Sequence, residues 1–110
     1  MSESLADVVH RIAGRLPDAK ASSAPGAPGA GPPVTTTTWS NAGVAFAVVR
    51  PGAVEVRLDP AIAAAASRTP DAAPSPRGRE WVRFSPRAID GHAVDRLTAW
   101  LDLAYRRAAE

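Results

Sequence analysis

A chain of 110 residues and 11.4 kDa is long enough for one domain with a modest hydrophobic core. It contains no cysteine, which excludes disulfides and thiolate metal sites. The formal net charge is only +2, and the pI of about 9.9 is high partly because all basic residues except Lys20 are arginine. Net charge alone therefore does not indicate nucleic-acid binding.

Targeting and membrane signals are absent from the sequence. Residues 1–4 lack the basic segment and the apolar run of a signal peptide, and no stretch approaches the roughly 18 apolar residues of a membrane helix. We therefore expect a cytoplasmic protein that does not enter a membrane.

The chain begins with a helix pattern followed by a segment of low complexity. Ser4 and Asp7 have the spacing of a capping box, and apolar residues then recur at helical spacing until Pro17. This predicts a first helix over residues 4–16. Residues 19–33 are rich in Pro, Gly, Ala and Ser, which predicts a flexible segment.

Three strand patterns follow, separated by turn residues. The β-branched run at 34–39 and the alternating segments 44–49 and 54–58 have high strand propensity. Residues 40–43 are typical of a turn, and Pro51 with Gly52 has the arrangement of a type II turn. The sequence therefore predicts an antiparallel meander.

The C-terminal half alternates helices with one more strand. Asp59 as N-cap and Pro60 at the first helical position predict a short second helix, followed by a Pro-rich loop at 69–78. Residues 79–85 alternate as a strand, and Asp90 precedes an amphipathic helix over 94–108. We predict a single α+β domain over 1–110, in the order α-β-β-β-α-β-α, with a four-stranded, mostly antiparallel sheet packed against the first and last helices.

Part of this pattern resembles the YjbR/MmcQ-like proteins. The resemblance covers about residues 44–108 and lies in the segment 54–60, the short helix, the Pro-rich loop, the segment 80–82 and the end of the last helix at 103–107. A similar tail occurs in the small luciferase-domain proteins of unknown function. The resemblance implies an α+β fold related to the frataxin-like double-wing architecture. It implies little about function, because YjbR-like proteins have at most been suggested to bind DNA. This sequence also departs from the family pattern, since Glu80 stands where a different polar residue or a histidine is usual before the tryptophan.

Patterns for catalysis, metal binding and cofactor binding are weak. His10 and His92 lie on different predicted helices without a second ligand at i+3 or i+4. No Gly-x-Ser-x-Gly elbow surrounds a serine, and the glycines of 26–31 follow no strand and precede no helix. Asp90 next to Gly91-His92 is explained as an N-cap. We expect a non-enzymatic protein with no metal and no cofactor.

Arginines concentrate around the last predicted strand. Arg79 and Arg83 share a face of the predicted strand with Trp81, so that their guanidinium groups can flank its aromatic ring. Such a face suits phosphate contacts and base stacking, although nearby carboxylates can neutralise it. The nucleic-acid-binding residues predicted in this way are Arg77, Arg79, Trp81, Arg83 and Arg87.

The last helix offers an alternative binding surface. Trp100 lies near the edge of the apolar stripe, about one turn from Leu97 and Leu103, and either widens that stripe into an exposed flank or covers the sheet edge. An exposed flank with Trp100 and Leu103 would bind a partner protein or form a homodimer. We therefore expect a small binding domain, either a protein-interaction or accessory module or, as the alternative, a nucleic-acid-binding module.

Overall fold

The computed structural model describes residues 4–25 and 35–109. In these residues the fold is α+β, as the sequence predicts, but the sheet has six strands rather than four. The predicted element order was therefore wrong, because it lacked two strands. In chain order the elements are α1 (Leu5–Ala13), β1 (Lys20–Pro25), β2 (Thr35–Asn41), β3 (Val44–Arg50), β4 (Ala53–Arg57), α2 (Pro60–Ala66), β5 (Ala72–Pro74), β6 (Trp81–Phe84) and α3 (Gly91–Ala108).

The helices begin at the N-cap residues that the sequence predicts. In α1 the Ser4 amide donates to Asp7 Oδ2 at 3.2 Å, and the Asp7 amide donates to Ser4 Oγ at 3.1 Å, which completes the capping box. Asp59 accepts from the Ala61 amide at the start of α2, and Asp90 accepts from the Ala93 amide at the start of α3. The three predicted N-caps are confirmed.

The sheet is antiparallel throughout, in the order β1-β2-β3-β4-β6-β5. β1 lies in the segment 19–33, so the predicted flexibility was wrong for Lys20–Pro25, while residues 26–33 lie outside the described residues. The sequence of β1 has low strand propensity, so its order comes from pairing with the Thr-rich β2 rather than from its own residues.

β5 is the second unpredicted strand, and it lies inside the Pro-rich loop 69–78. Its three residues pair with β6 at the sheet edge, where Pro74 is tolerated because an outward-facing amide is not needed for pairing. The strand predicted over 79–85 shortens to Trp81–Phe84. Both differences follow from turns that residues 75–80 form between the two strands.

The β2–β3 hairpin has a two-residue turn. Asn41 pairs with Val44, and between them Ala42 and Gly43 adopt φ of 54° and 80°. Two consecutive positive φ values are the requirement of a type I′ turn, which favours Asn-Gly. Ala42 therefore occupies a left-handed conformation that its Cβ disfavours.

Replacing Ala42 by asparagine is expected to stabilise the fold by about 0.5–1 kcal/mol, because asparagine tolerates the left-handed region. The measurement is the free energy of unfolding in urea. Ala99→Asn is the matched control: this exposed alanine lies inside α3, where asparagine costs about 0.5 kcal/mol in helix propensity. Equal changes of the same sign at both positions would contradict the turn assignment.

α1 and α3 cover one side of the sheet and form the core with it. Phe46 contacts Tyr105 with ring centroids 6.0 Å apart, and Phe84 contacts Trp100 at 5.3 Å, both edge to face. A β-bulge near Trp39 shifts the register between β2 and β3. The largest fully buried side chains are Phe46, Phe84, Leu58, Leu97, Leu101, Val8, Val9, Val54, Val56 and Val82.

Candidate nucleic-acid interface

The side of the sheet opposite α1 and α3, which we call the open face, carries a row of side chains across four strands. Thr38 pairs with Val48, Val48 with Glu55, and Glu55 with Arg83. Residues directly opposite each other in antiparallel strands point to the same side, so these four belong to one row. The alternate residue Phe84 contacts α3, which places Arg83 on the side away from that helix.

Glu55 is the buried charge of the open face. Its side chain accepts hydrogen bonds from Ser75 Oγ and, at 3.1 Å, from Arg77 Nε, and Arg50 lies 3.5 Å away. The residue is only 3% exposed. Burial raises the pKa of Glu55, but the hydrogen bonds from Ser75 and Arg77, together with the charges of Arg77 and Arg50, outweigh it and leave the pKa below its ordinary value of 4.5. Glu55 therefore stays ionised and holds two arginines in place.

The Glu55 contact also positions an arginine against an aromatic ring. Arg77 lies with its guanidinium carbon 5.6 Å from the centre of the Trp81 ring. Trp81 is partly buried and shares the open side of β6 with Arg83. Within the described residues, neither Arg79 nor Arg83 has an ion-pair partner. The structure thus brings together four of the five predicted residues, Arg77, Arg79, Trp81 and Arg83.

Arg87 is the exception among the predicted nucleic-acid-binding residues. It follows β6 and pairs with Asp71, whose carboxylate oxygen lies 3.6 Å from Arg87 Nε. It lines a different cavity, with His92 and Arg96 near the start of α3. Arg87 therefore lies apart from the other four predicted residues, beyond the end of β6 at Phe84.

A groove of about 650 Å³ adjoins Trp81 at the β5–β6 edge of the sheet. Apolar residues of α2 line it together with Pro74 and Trp81. Arg68 and Arg79 also line it, and no ion-pair partner of either is found in the described part of the chain. Arg68 is absent from the predicted cluster because it follows α2 and is distant in sequence from the strand that carries Trp81.

Two further arginines near these strands share one carboxylate. Glu80 accepts from Arg57 Nε at 3.2 Å and from Arg107 at the end of α3. One carboxylate therefore ties β4, the start of β6 and α3 together. Arg57 and Arg107 therefore serve the fold, and with Glu80 they leave one net positive charge.

The predicted protein-interaction flank is only partly present. Trp100 is buried, with 9% of its surface exposed, because its ring packs against Phe84 and beside Arg96. The sequence left two alternatives for Trp100, an exposed flank or a cover for the sheet. In the structure Trp100 covers the sheet. Leu103 is 41% exposed, as an interaction residue must be.

Neither a metal cluster nor a membrane-spanning helix is found among the described residues. They contain no cluster of three or more histidine, aspartate or glutamate side chains placed to hold a metal. None of the helices in the described ranges combines the length and apolar character needed to cross a bilayer. Comparison of the chain with protein-family models, with curated proteins and with solved structures found no significant match, so the resemblance to YjbR-like and luciferase-domain proteins stays a prediction.

Proposed function

We propose that the protein binds single-stranded nucleic acid across the open face, without a chemical step. The observation that carries the proposal is the grouping of Trp81 with Arg77 and Arg83 at the β6 end of the open face, beside Arg79 in the adjoining groove. Arginines that contact phosphates and an aromatic ring that stacks on bases are the groups by which single strands are recognised.

The local charge balance supports this function more than the net charge does. Around the open face and the groove lie Arg50, Arg68, Arg77, Arg79 and Arg83, of which only Arg50 and Arg77 are paired with a carboxylate, that of Glu55, within the described residues. This positive surface attracts a polyanion, and its attraction falls as salt rises.

Single strands suit this surface better than duplexes. The indole of Trp81 is partly buried beside Arg77, so a base must leave its stack to reach the ring. Bases of a single strand are free to do so, whereas those of a duplex first have to unstack and unpair. We therefore expect weaker binding of duplex DNA than of a single strand of the same sequence.

Arg83→Ala is expected to weaken binding of a mixed-sequence single strand about threefold to tenfold at low salt. It should also reduce the slope of log affinity against log salt by about 0.7, the value for one phosphate contact on a single strand. Fluorescence anisotropy of a labelled oligonucleotide, titrated at several salt concentrations, measures both quantities.

The control is Arg106→Ala, which removes an exposed arginine from α3, where Arg106 pairs with Asp102 at 3.2 Å. This variant should keep both the affinity and the salt slope. The proposal fails if the native protein binds no oligonucleotide at low salt. It fails equally if the two variants lose the same affinity, because the loss would then reflect total charge rather than the open face.

Protein association is the second candidate function, supported by the exposed Leu103 and by a groove of about 590 Å³ between α1 and α3. Ile12, Leu16 and Val94 give this groove apolar walls. It ranks second because Trp100, the largest apolar side chain of the predicted flank, is buried. Association here would be largely insensitive to salt and show a negative heat-capacity change, and sedimentation would detect a homodimer.

A further inference from the structure

The groove beside Trp81 has features that the open face does not need for general strand binding. It is lined by small apolar residues, by the indole of Trp81 and by two arginines. We infer that this groove binds a nucleoside monophosphate group, with the base against Trp81 and a phosphate monoester at Arg68 and Arg79. The inference rests on the proposed function and names the part of the ligand that this site recognises.

The charge of the two arginines that line the groove favours a phosphate monoester over a phosphodiester. A phosphate monoester carries a charge of about −1.5 to −2 at neutral pH, whereas each phosphodiester of a strand carries −1. Arg68 and Arg79 contribute two positive charges, and in the part of the chain that the structure describes no carboxylate pairs with either. Arginine also forms paired hydrogen bonds to phosphate oxygens, which strengthens this match.

The apolar residues that line the groove favour a ligand with a flat ring over inorganic phosphate. Pro60 and Ala64 from α2 and Pro74 from β5 face the same groove as Trp81. Arg77, which lies over the indole, is not among the residues that line the groove. A base placed in the groove would bury apolar area against proline and alanine while it stacks on Trp81.

The volume of the groove fits a ligand of this size. About 650 Å³ lies within the range of small-molecule sites, which runs from roughly 300 to 1,000 Å³. Such a group has two sources, the phosphorylated end of a strand and a free mononucleotide. Both present the same base, sugar and monoester to the groove, so the chemistry is shared and the experiment must separate the sources.

The first arm tests the site with small molecules by calorimetry. Adenosine monophosphate is expected to bind at least about tenfold more tightly than adenosine or inorganic phosphate, since only the nucleotide engages both the apolar residues and the arginines of the groove. The double variant Arg68→Gln/Arg79→Gln should lose about tenfold or more of the nucleotide affinity, and Trp81→Leu should lose several-fold. Arg15→Gln is the matched control, since Arg15 is exposed and lines the groove between α1 and α3.

The second arm compares oligonucleotides of one sequence with a 5′-phosphate, a 3′-phosphate or neither. Tighter binding of a phosphorylated form supports the strand end as the source. Binding of the nucleotide with equal affinity for all three oligonucleotides supports the free mononucleotide. The inference is overturned if nucleotide and nucleoside bind equally, or if Arg15→Gln weakens nucleotide binding as much as the double variant does. In that case the proposed function still stands if oligonucleotide binding depends on salt and is weakened by Arg83→Ala. The proposed function is refuted separately if the protein binds no oligonucleotide.

Discussion

Replacing Phe84 by alanine is expected to lower the free energy of unfolding by about 3–5 kcal/mol, the usual cost of removing a buried phenyl group. Phe84 is fully buried, its ring meets Trp100 edge to face, and the Arg96 guanidinium carbon lies 4.6 Å from its ring centre. The truncation would remove both contacts at the junction of β6 and α3. Urea unfolding followed by tryptophan fluorescence and circular dichroism measures the change.

Leu103→Ala is the control for Phe84→Ala, because Leu103 is a large apolar residue of the same helix-sheet layer that is 41% exposed. Its truncation should change stability by no more than about 0.5 kcal/mol. If Phe84→Ala does not fold, Phe84→Leu, which keeps most of the apolar volume, should cost about 1 kcal/mol. A cost below 1 kcal/mol for alanine itself would contradict the packing of β6 against α3.

The parts of the fold predicted from the sequence are those that depend on neighbours in the chain. Ser4 with Asp7, Asp59 with Pro60, and Asp90 each mark a helix start through a hydrogen bond within a few residues. Gly52 has φ of 78°, as the predicted type II turn at the β3–β4 connection requires. Such signals are visible in one sequence because both partners lie within it at fixed spacing.

The two missed strands depend instead on distant partners. The side chains of Lys20, Ala21 and Ser22 have no strand preference, and β1 forms because its backbone pairs with β2 across the segment between them. β5 contains Pro74 and has only three residues, so its composition indicates a loop. Propensity cannot reveal a strand whose stability comes from its neighbour's hydrogen bonds.

The site was predicted in part for the same reason. Trp81 and Arg83 share a face through the alternation of a single strand, which the sequence displays. Arg68 reaches the groove from the end of α2, and only the packing of α2 against β5 and β6 brings it there. Glu55 reads as a solvent-exposed residue of an alternating strand, yet it is buried because Ser75 and Arg77 fold over it.

Glu55→Gln is expected to lower the free energy of unfolding by about 1–2 kcal/mol at neutral pH, because it weakens hydrogen bonds to a charged group. The cost stays below that of a fully buried ion pair, since the side chains of Arg50 and Arg77 are 49% and 34% exposed and can be rehydrated. Asp102→Asn, in the exposed pair with Arg106, is the control and should change stability by no more than about 0.5 kcal/mol.

The same substitution should change how stability depends on pH. The folded-state pKa of Glu55 lies below its ordinary value of 4.5, so its contribution is complete above that value and is lost as pH falls through the lower, folded-state pKa. The native protein should therefore lose more stability than Glu55→Gln when the pH is lowered from about 6 to below 4. Parallel pH profiles for the two proteins would contradict the assigned network.

Nucleic-acid binding should respond to Glu55→Gln in the opposite direction from stability. Removing the negative charge of Glu55, which lies directly opposite Arg83, is expected to strengthen binding roughly two- to threefold. Partial unfolding would separate the arginines and weaken binding. It would therefore not explain a variant that is less stable yet binds a single strand more tightly. Oligonucleotide anisotropy at low salt, where the native protein remains folded, makes the comparison. Weaker binding by Glu55→Gln would instead mean that Glu55 acts mainly by holding Arg77 against Trp81, so that the order of the arginine outweighs the charge that is removed.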